Sequence, residues 1–139
     1  MATNTAGVQI RQDPRQVANT LKKTVNFNDL GIASGLAFEE YLPIGAFILS
    51  VLVDVVTAFN AGTTNILTVG SNATTYNNLI NSTDVNEAVA GVYDVTRGLG
   101  RSITATAVQN MFAKYTQTGA AATTGQAIII IVYDGGFAT

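Results

Sequence analysis

The chain has no cysteine, no histidine and no tryptophan, and only two prolines among its 139 residues. Without cysteine there is no disulfide, no thiolate metal site and no cysteine nucleophile. Without histidine it lacks the commonest general base, the usual imidazole metal ligand and the side chain that switches charge near neutral pH. Without tryptophan it lacks the ring best suited to stacking on a sugar. Charge is scarce as well: Asp, Glu, Lys and Arg make up 12% of the residues, about half the usual fraction of roughly 25%. Long hydrophobic runs are absent too. The most apolar stretch, Ala46 to Phe59, contains Ser50 and Asp54 and falls short of the roughly 20 apolar residues a spanning helix needs. Met1-Ala2-Thr3-Asn4-Thr5 has neither the basic start nor the apolar core of a signal peptide. The expectation is synthesis in the cytoplasm without export, and no membrane partner.

What is present is a one-domain length with 47% apolar residues, enough for a real core. Asn, Thr, Ser and Gly take the place of charged surface. Such a surface costs little to desolvate, and interfaces are depleted in Lys, Glu and Asp. Composition therefore fits a permanent assembly subunit and, equally, a surface β protein with a Thr/Asn-rich skin. The net charge of -2 is unevenly spread. Arg11, Arg15, Lys22 and Lys23 against Asp13 give the first 23 residues +3. The remainder, with Arg97, Arg101 and Lys114 against eight carboxylates, carries -5. A basic segment ahead of an acidic body suggests an arm that reaches an acidic surface. Its basic residues are sparse and lack interleaved aromatics, so no nucleic-acid partner is expected.

Along the chain, residues 1–20 are poor in large apolar side chains and broken by Asp13-Pro14. They read as an extended arm, with at most a helical turn from Arg15 to Thr20, and residues 21–139 read as the folded domain. Residues 21–27 predict a strand with Leu21, Lys23, Val25 and Phe27 on one face. A second strand is expected over about 33–38. Residues 46–57 predict the strongest strand, with Phe47, Leu49, Val51, Val53 and Val55 on an apolar face and Ile48, Ser50, Leu52, Asp54 and Val56 on a mixed one. It turns through Asn60-Ala61-Gly62 and is expected to fold back on Ile66–Val69 as its partner. Leu79-Ile80 could form a short strand, and Asp84–Ala88 starts like a helical turn capped by Thr83 or Asp84. Residues 101–117 return to strand, and the pair 105–117 and 126–134 reads as a long hairpin. Ile128–Tyr133 is apolar on both faces, which predicts a central strand. Seven or eight strands with turn signals between them indicate a sandwich or barrel.

Few residue groups could carry chemistry. Glu39 and Glu40 are adjacent, so a regular strand would point them to opposite faces. Asp54 is a lone carboxylate in an apolar strand, with Arg97 or Arg101 as possible partners. Asp84, Asn86 and Glu87 supply oxygen ligands but match no calcium-loop spacing. Gly98-Leu99-Gly100-Arg101 resembles a fragment of a phosphate loop but lacks the third glycine and the strand–helix context, which dismisses it. Tyr41, Tyr76 and Tyr93 are candidates for sugar contact. No catalytic residue, cofactor or metal ligand is assigned.

The unit Leu42-Pro43-Ile44-Gly45, the strand ending Asp54-Val55-Val56-Thr57-Ala58-Phe59-Asn60-Ala61-Gly62-Thr63-Thr64-Asn65, and Leu67-Thr68-Val69-Gly70 resemble small head proteins of tailed bacteriophages. Lys114-Tyr115, Thr118-Gly119, Thr124-Gly125-Gln126-Ala127 and Ile131-Val132-Tyr133 extend the resemblance to about Tyr133. It is strongest to the cement protein of a short-tailed phage. The resemblance implies an all-β, jelly-roll-like β-sandwich of about eight strands. It implies a non-enzymatic role in cementing or decorating the outer surface of an icosahedral capsid. The partners it implies are the major capsid protein and further copies of the chain, as a homodimer or trimer. Related sandwiches in tail and fibre proteins, some glycan-binding, are the alternative. Within this reading the expected contact residues are Val8, Ile10, Arg11, Arg15, Val17, Lys22 and Lys23.

Overall fold

Apolar side chains at period two, bounded by Gly, Asn and Pro turns, build seven strands and no helix among the described residues. The computed structural model describes residues 18–96 and 107–134. The strands are β1 (Ala18–Asn26), β2 (Leu36–Leu42), β3 (Phe47–Thr57), β4 (Thr64–Gly70), β5 (Gly91–Asp94), β6 (Gln109–Thr118) and β7 (Gln126–Asp134). One sheet has the order β1-β7-β3-β5, the other β2-β6-β4. All pairings are antiparallel. Consecutive strands always lie in different sheets, which is jelly-roll winding. Ile80 forms an isolated bridge to Val69 on the β4 edge, where an eighth strand would stand.

This winding corrects both expected hairpins. β3 and β4 lie in opposite sheets, and so do β6 and β7. The two connections instead bind each other at one end of the sandwich. Gly62 N–H donates to Ala120 O at 2.8 Å and Thr63 N–H to Thr118 O at 2.9 Å. The Asn60 side-chain oxygen accepts from the N–H groups of Thr123 and Thr124 at 2.7 and 3.0 Å. Phe59 is buried in its connection, its ring 4.6 Å from that of Tyr115. Gly125, at φ 147°, is where the Phe59 ring leaves no room for a Cβ. Turn chemistry alone does not say whether a strand returns beside its predecessor or crosses to the facing sheet.

The core lies between the sheets. Leu21, Val25, Ile48, Val51, Val53, Ile129 and Ile131 fill it from one side, and Leu42, Leu67, Val69, Met111 and Tyr115 from the other. β7 is central, as its two apolar faces predict, with β1 and β3 as neighbours. β3 departs from its expected phase. The ladder shifts between Ile48 and Ser50, so Ile48 is buried while Phe47 is 37% exposed. A bulge adds one residue and flips the alternation. Only from Val51 onward do the odd positions face inward. β1 begins at Ala18, so residues 18–20 are strand rather than helical turn. β2 begins at Leu36, later than expected, after a turn in which Gly35 N–H donates to Gly31 O at 3.1 Å. Residues 84–88 form turns instead of a capped helix. The Asp84 carboxylate accepts from Asn81 N–H at 2.8 Å and the Asn86 side chain from Ala88 N–H at 3.2 Å. Asx bonds of this kind favour turns over helix propagation.

Candidate functional site

A cleft opens at the end of the sandwich opposite the paired connections. It is lined by Glu39, Glu40, Tyr41, Pro43 and Tyr133, with a volume of about 390 Å³. A bulge in β2 makes it. The stretch from Ala37 to Tyr41 faces only the step from Phe112 to Asn110 on β6. The surplus residues break the alternation, and Glu39, Glu40 and Tyr41 are all exposed. Glu39 and Glu40 therefore share one cleft, contrary to the expectation that a regular strand would separate them. Alternation carries no signal for such a bulge. Tyr133 enters from the end of β7, on the inward row that continues Ile129 and Ile131. Its burial, and then the charge of Glu40, raise the phenol above its usual pKa.

Apolar side chains border this end. Pro43-Ile44-Gly45-Ala46 closes a turn with Ala46 N–H donating to Pro43 O at 3.2 Å. Gly45, at φ 84°, occupies the position where a type II turn demands a positive φ. Ile44 in this turn is 43% exposed, and Tyr41 before it and Phe47 after it in the chain are exposed as well. Of these exposed side chains, Tyr41 lines the cleft with the two carboxylates.

A second surface is the outer face of the β1-β7-β3-β5 sheet. Ile128, Ile130 and Val132 of β7 and Leu52 of β3 lie half-buried there. Across the ladder, Ile130 stands between Lys22 and Leu52, and Ile128 between Thr24 and Asp54. Asp94 is opposite Leu52, and Val92, largely exposed, is opposite Asp54. The result is an apolar centre with a polar border, the usual anatomy of a protein interface. Asp54 belongs to that border. Arg97 and Arg101, its suggested partners, lie outside the described residues.

Of the expected contact residues, Val8, Ile10, Arg11, Arg15 and Val17 also lie outside the described residues. Lys22 is exposed on the outer face of β1. Lys23 points inward between Leu21 and Val25, and its ammonium lies 3.6 Å from Glu39. The tyrosine group does not survive as a unit. Tyr76 stacks on Phe112 with centroids 4.5 Å apart. The Tyr93 hydroxyl donates to Asn86 O and Val89 O at 3.0 and 2.8 Å. Tyr41 alone of the three stands more than half exposed.

The remaining carboxylate of note is Glu87, only 4% exposed. Its side chain accepts from Leu67 N–H at 2.6 Å, and its carbonyl accepts from Phe59 N–H at 2.9 Å. Burial raises its pKa, opposed by the bond from Leu67. Asp84 and Asn86 are spent on local turns, so the three oxygen groups diverge. Among the described residues no group of three or more acidic side chains gathers as a metal site. No helix there is long and apolar enough to cross a membrane.

No protein-family model and no curated protein matches the sequence. Solved structures do match. A chain from the capsid of Ralstonia phage GP4 aligns with TM-score 0.61 and 22% identity, covering 91% of this chain and 89% of that one. A chain from the acidic stable capsid of Helicobacter pylori bacteriophage KHP30 aligns with TM-score 0.56 and 23% identity, covering 86% and 89%. A chain from the cyanophage Pam1 capsid asymmetric unit aligns with TM-score 0.50 and 17% identity, covering 84% of each. The seven-stranded sandwich is therefore a fold that this chain shares with chains of three phage capsids.

Proposed function

We propose that this chain is a structural virion protein that cements or decorates the outer surface of an icosahedral bacteriophage capsid. It does so by bridging neighbouring subunits of the major capsid protein. The observation that carries this reading is the fold shared with three phage capsid chains over more than four-fifths of the length of each. The sparse charge and the apolar outer face of the β1-β7-β3-β5 sheet support it. The mechanism is mechanical and makes or breaks no covalent bond. The sheet face seats on the shell. The basic arm, with Val8, Ile10, Arg11, Arg15 and Val17, reaches the shell or a neighbouring subunit, and Lys22 meets acidic groups beside that face. Each contact can be modest, since many symmetric junctions act together.

Reconstructions of virions prepared with and without the protein test this. The expected difference is density over the shell across junctions between capsid subunits. Density confined to the tail or its fibres overturns the reading in favour of a tail component.

A further inference from the structure

We propose that the cleft between the end of β2 and the end of β7 receives residues 8–17 of a second copy of this chain, with Arg11 or Arg15 against Glu40. The inference rests on reading the amino-terminal segment as a bridging arm, and it adds the surface that receives it.

The chemistry of the cleft selects its occupant. Glu39 and Glu40 stand beside the rings of Tyr41 and Tyr133. A guanidinium both bonds carboxylate oxygens in pairs and stacks on an aromatic face, which a compact ammonium does less well. Lys23 takes up part of Glu39. Among the described residues no cation is paired with Glu40. Pro43 and the rings of Tyr41 and Tyr133 offer apolar area within the cleft, and the segment carries Val8 and Ile10 ahead of Arg11 and Val17 after Arg15. Opposite charge and matching apolar positions thus occur on the two surfaces.

Position supplies the second argument. Ala18 stands opposite Asp134, one residue beyond the cleft residue Tyr133. The chain ahead of β1 therefore leaves the sandwich at the end that carries the cleft. Arg15-Gln16-Val17-Ala18 contains no Gly, Pro, Asn or Asp to reverse direction before the strand. That favours Arg15 meeting the cleft of a second copy over a return to its own, since Asp13-Pro14 can turn the chain only ahead of Arg15. Ten extended residues span about 33 Å, enough to reach across a junction. With exit and cleft at one end, a two-fold axis there exchanges both segments at once.

The purified full chain, with no capsid present, provides the test, so the result does not depend on whether the protein binds shells. Sedimentation equilibrium is measured for the native chain, for R11E/R15E and for E39K/E40K, with thermal melts confirming folding. Each variant alone is expected to self-associate at least about tenfold more weakly than the native chain, and an equimolar mixture to restore association. Native-like association of either folded variant, failure of the mixture, or a native chain that stays monomeric overturns the proposal. Should E39K/E40K not fold, R11Q/R15Q, altered only in the arm, carries the same comparison. The cysteine-free chain also permits a site-specific crosslink. Gln16→Cys in one copy and Tyr41→Cys in another are expected to form an interchain disulfide on oxidation. A disulfide-closed monomer from the chain bearing both substitutions, with no interchain product, overturns exchange in favour of self-docking.

Discussion

Glu87 is buried because a loop folds it against β4, the edge strand of its sheet, where its carboxylate takes the N–H of Leu67. Burial outweighs that bond and holds its pKa above the usual carboxylate value. The folded protein thus binds this proton more tightly than the unfolded chain. The resulting stabilisation is complete below the ordinary carboxylate pKa and is lost as pH rises through the raised folded value. Glu87→Gln keeps an acceptor and cannot ionise. Urea midpoints between about pH 4 and pH 7 should therefore fall with rising pH more steeply in the native chain than in the variant, and parallel profiles would refute this. Glu87→Ala strands the Leu67 N–H and should cost about 1–3 kcal/mol. Gly125→Ala drives a methyl into the Phe59 ring. Overpacking of this kind costs about 1–3 kcal/mol, and the positive φ adds to it. A denaturant midpoint unchanged from native would show that the Phe59 connection yields. The role of Glu87 was not legible in the sequence, where it reads as part of a capped helical turn and as one of three oxygen groups with Asp84 and Asn86.

At the scale of elements, alternation foretold β1 and the central place of β7. It placed β3 but missed the facing of its first residues, because one extra residue near Leu49 reverses the parity there. The same physics hid the cleft, since the bulge in β2 gathers carboxylates that alternation separates. β1 is an edge strand, and Lys23 points inward on it, at 13% side-chain exposure. An inward charge on an edge discourages pairing with another sheet edge. Its ion pair with the largely exposed Glu39 contributes at most about 1 kcal/mol. Lys23→Val should thus leave the melting temperature nearly unchanged and raise concentration-dependent light scattering. A fully soluble variant would show that the edge is protected by other means.

At the scale of the whole molecule, the proposed seating face on the β1-β7-β3-β5 sheet and the proposed amino-terminal arm predict different losses when each is altered. Ile130→Lys places a charge at the centre of the face, from which a flexible lysine can turn into water. It should leave a folded, self-associating protein that binds shells poorly. Unchanged shell binding would move the seat elsewhere. Removing residues 2–17 stops short of β1 and should leave the thermal melt unaltered while weakening assembly. A markedly lower melting temperature would show that the segment belongs to the sandwich. The sequence by itself determined the class of the protein: all-β, without cysteine or histidine chemistry, poorly charged, with a basic segment ahead of an acidic body. Those follow from composition and from period-two alternation, which each stretch of chain carries locally. Only the tertiary structure decided that each strand crosses to the facing sheet, that β3 changes phase, and that Glu39, Glu40 and Tyr133 meet in one cleft. Those depend on pairings between residues far apart in the chain and on bulges that no local pattern records.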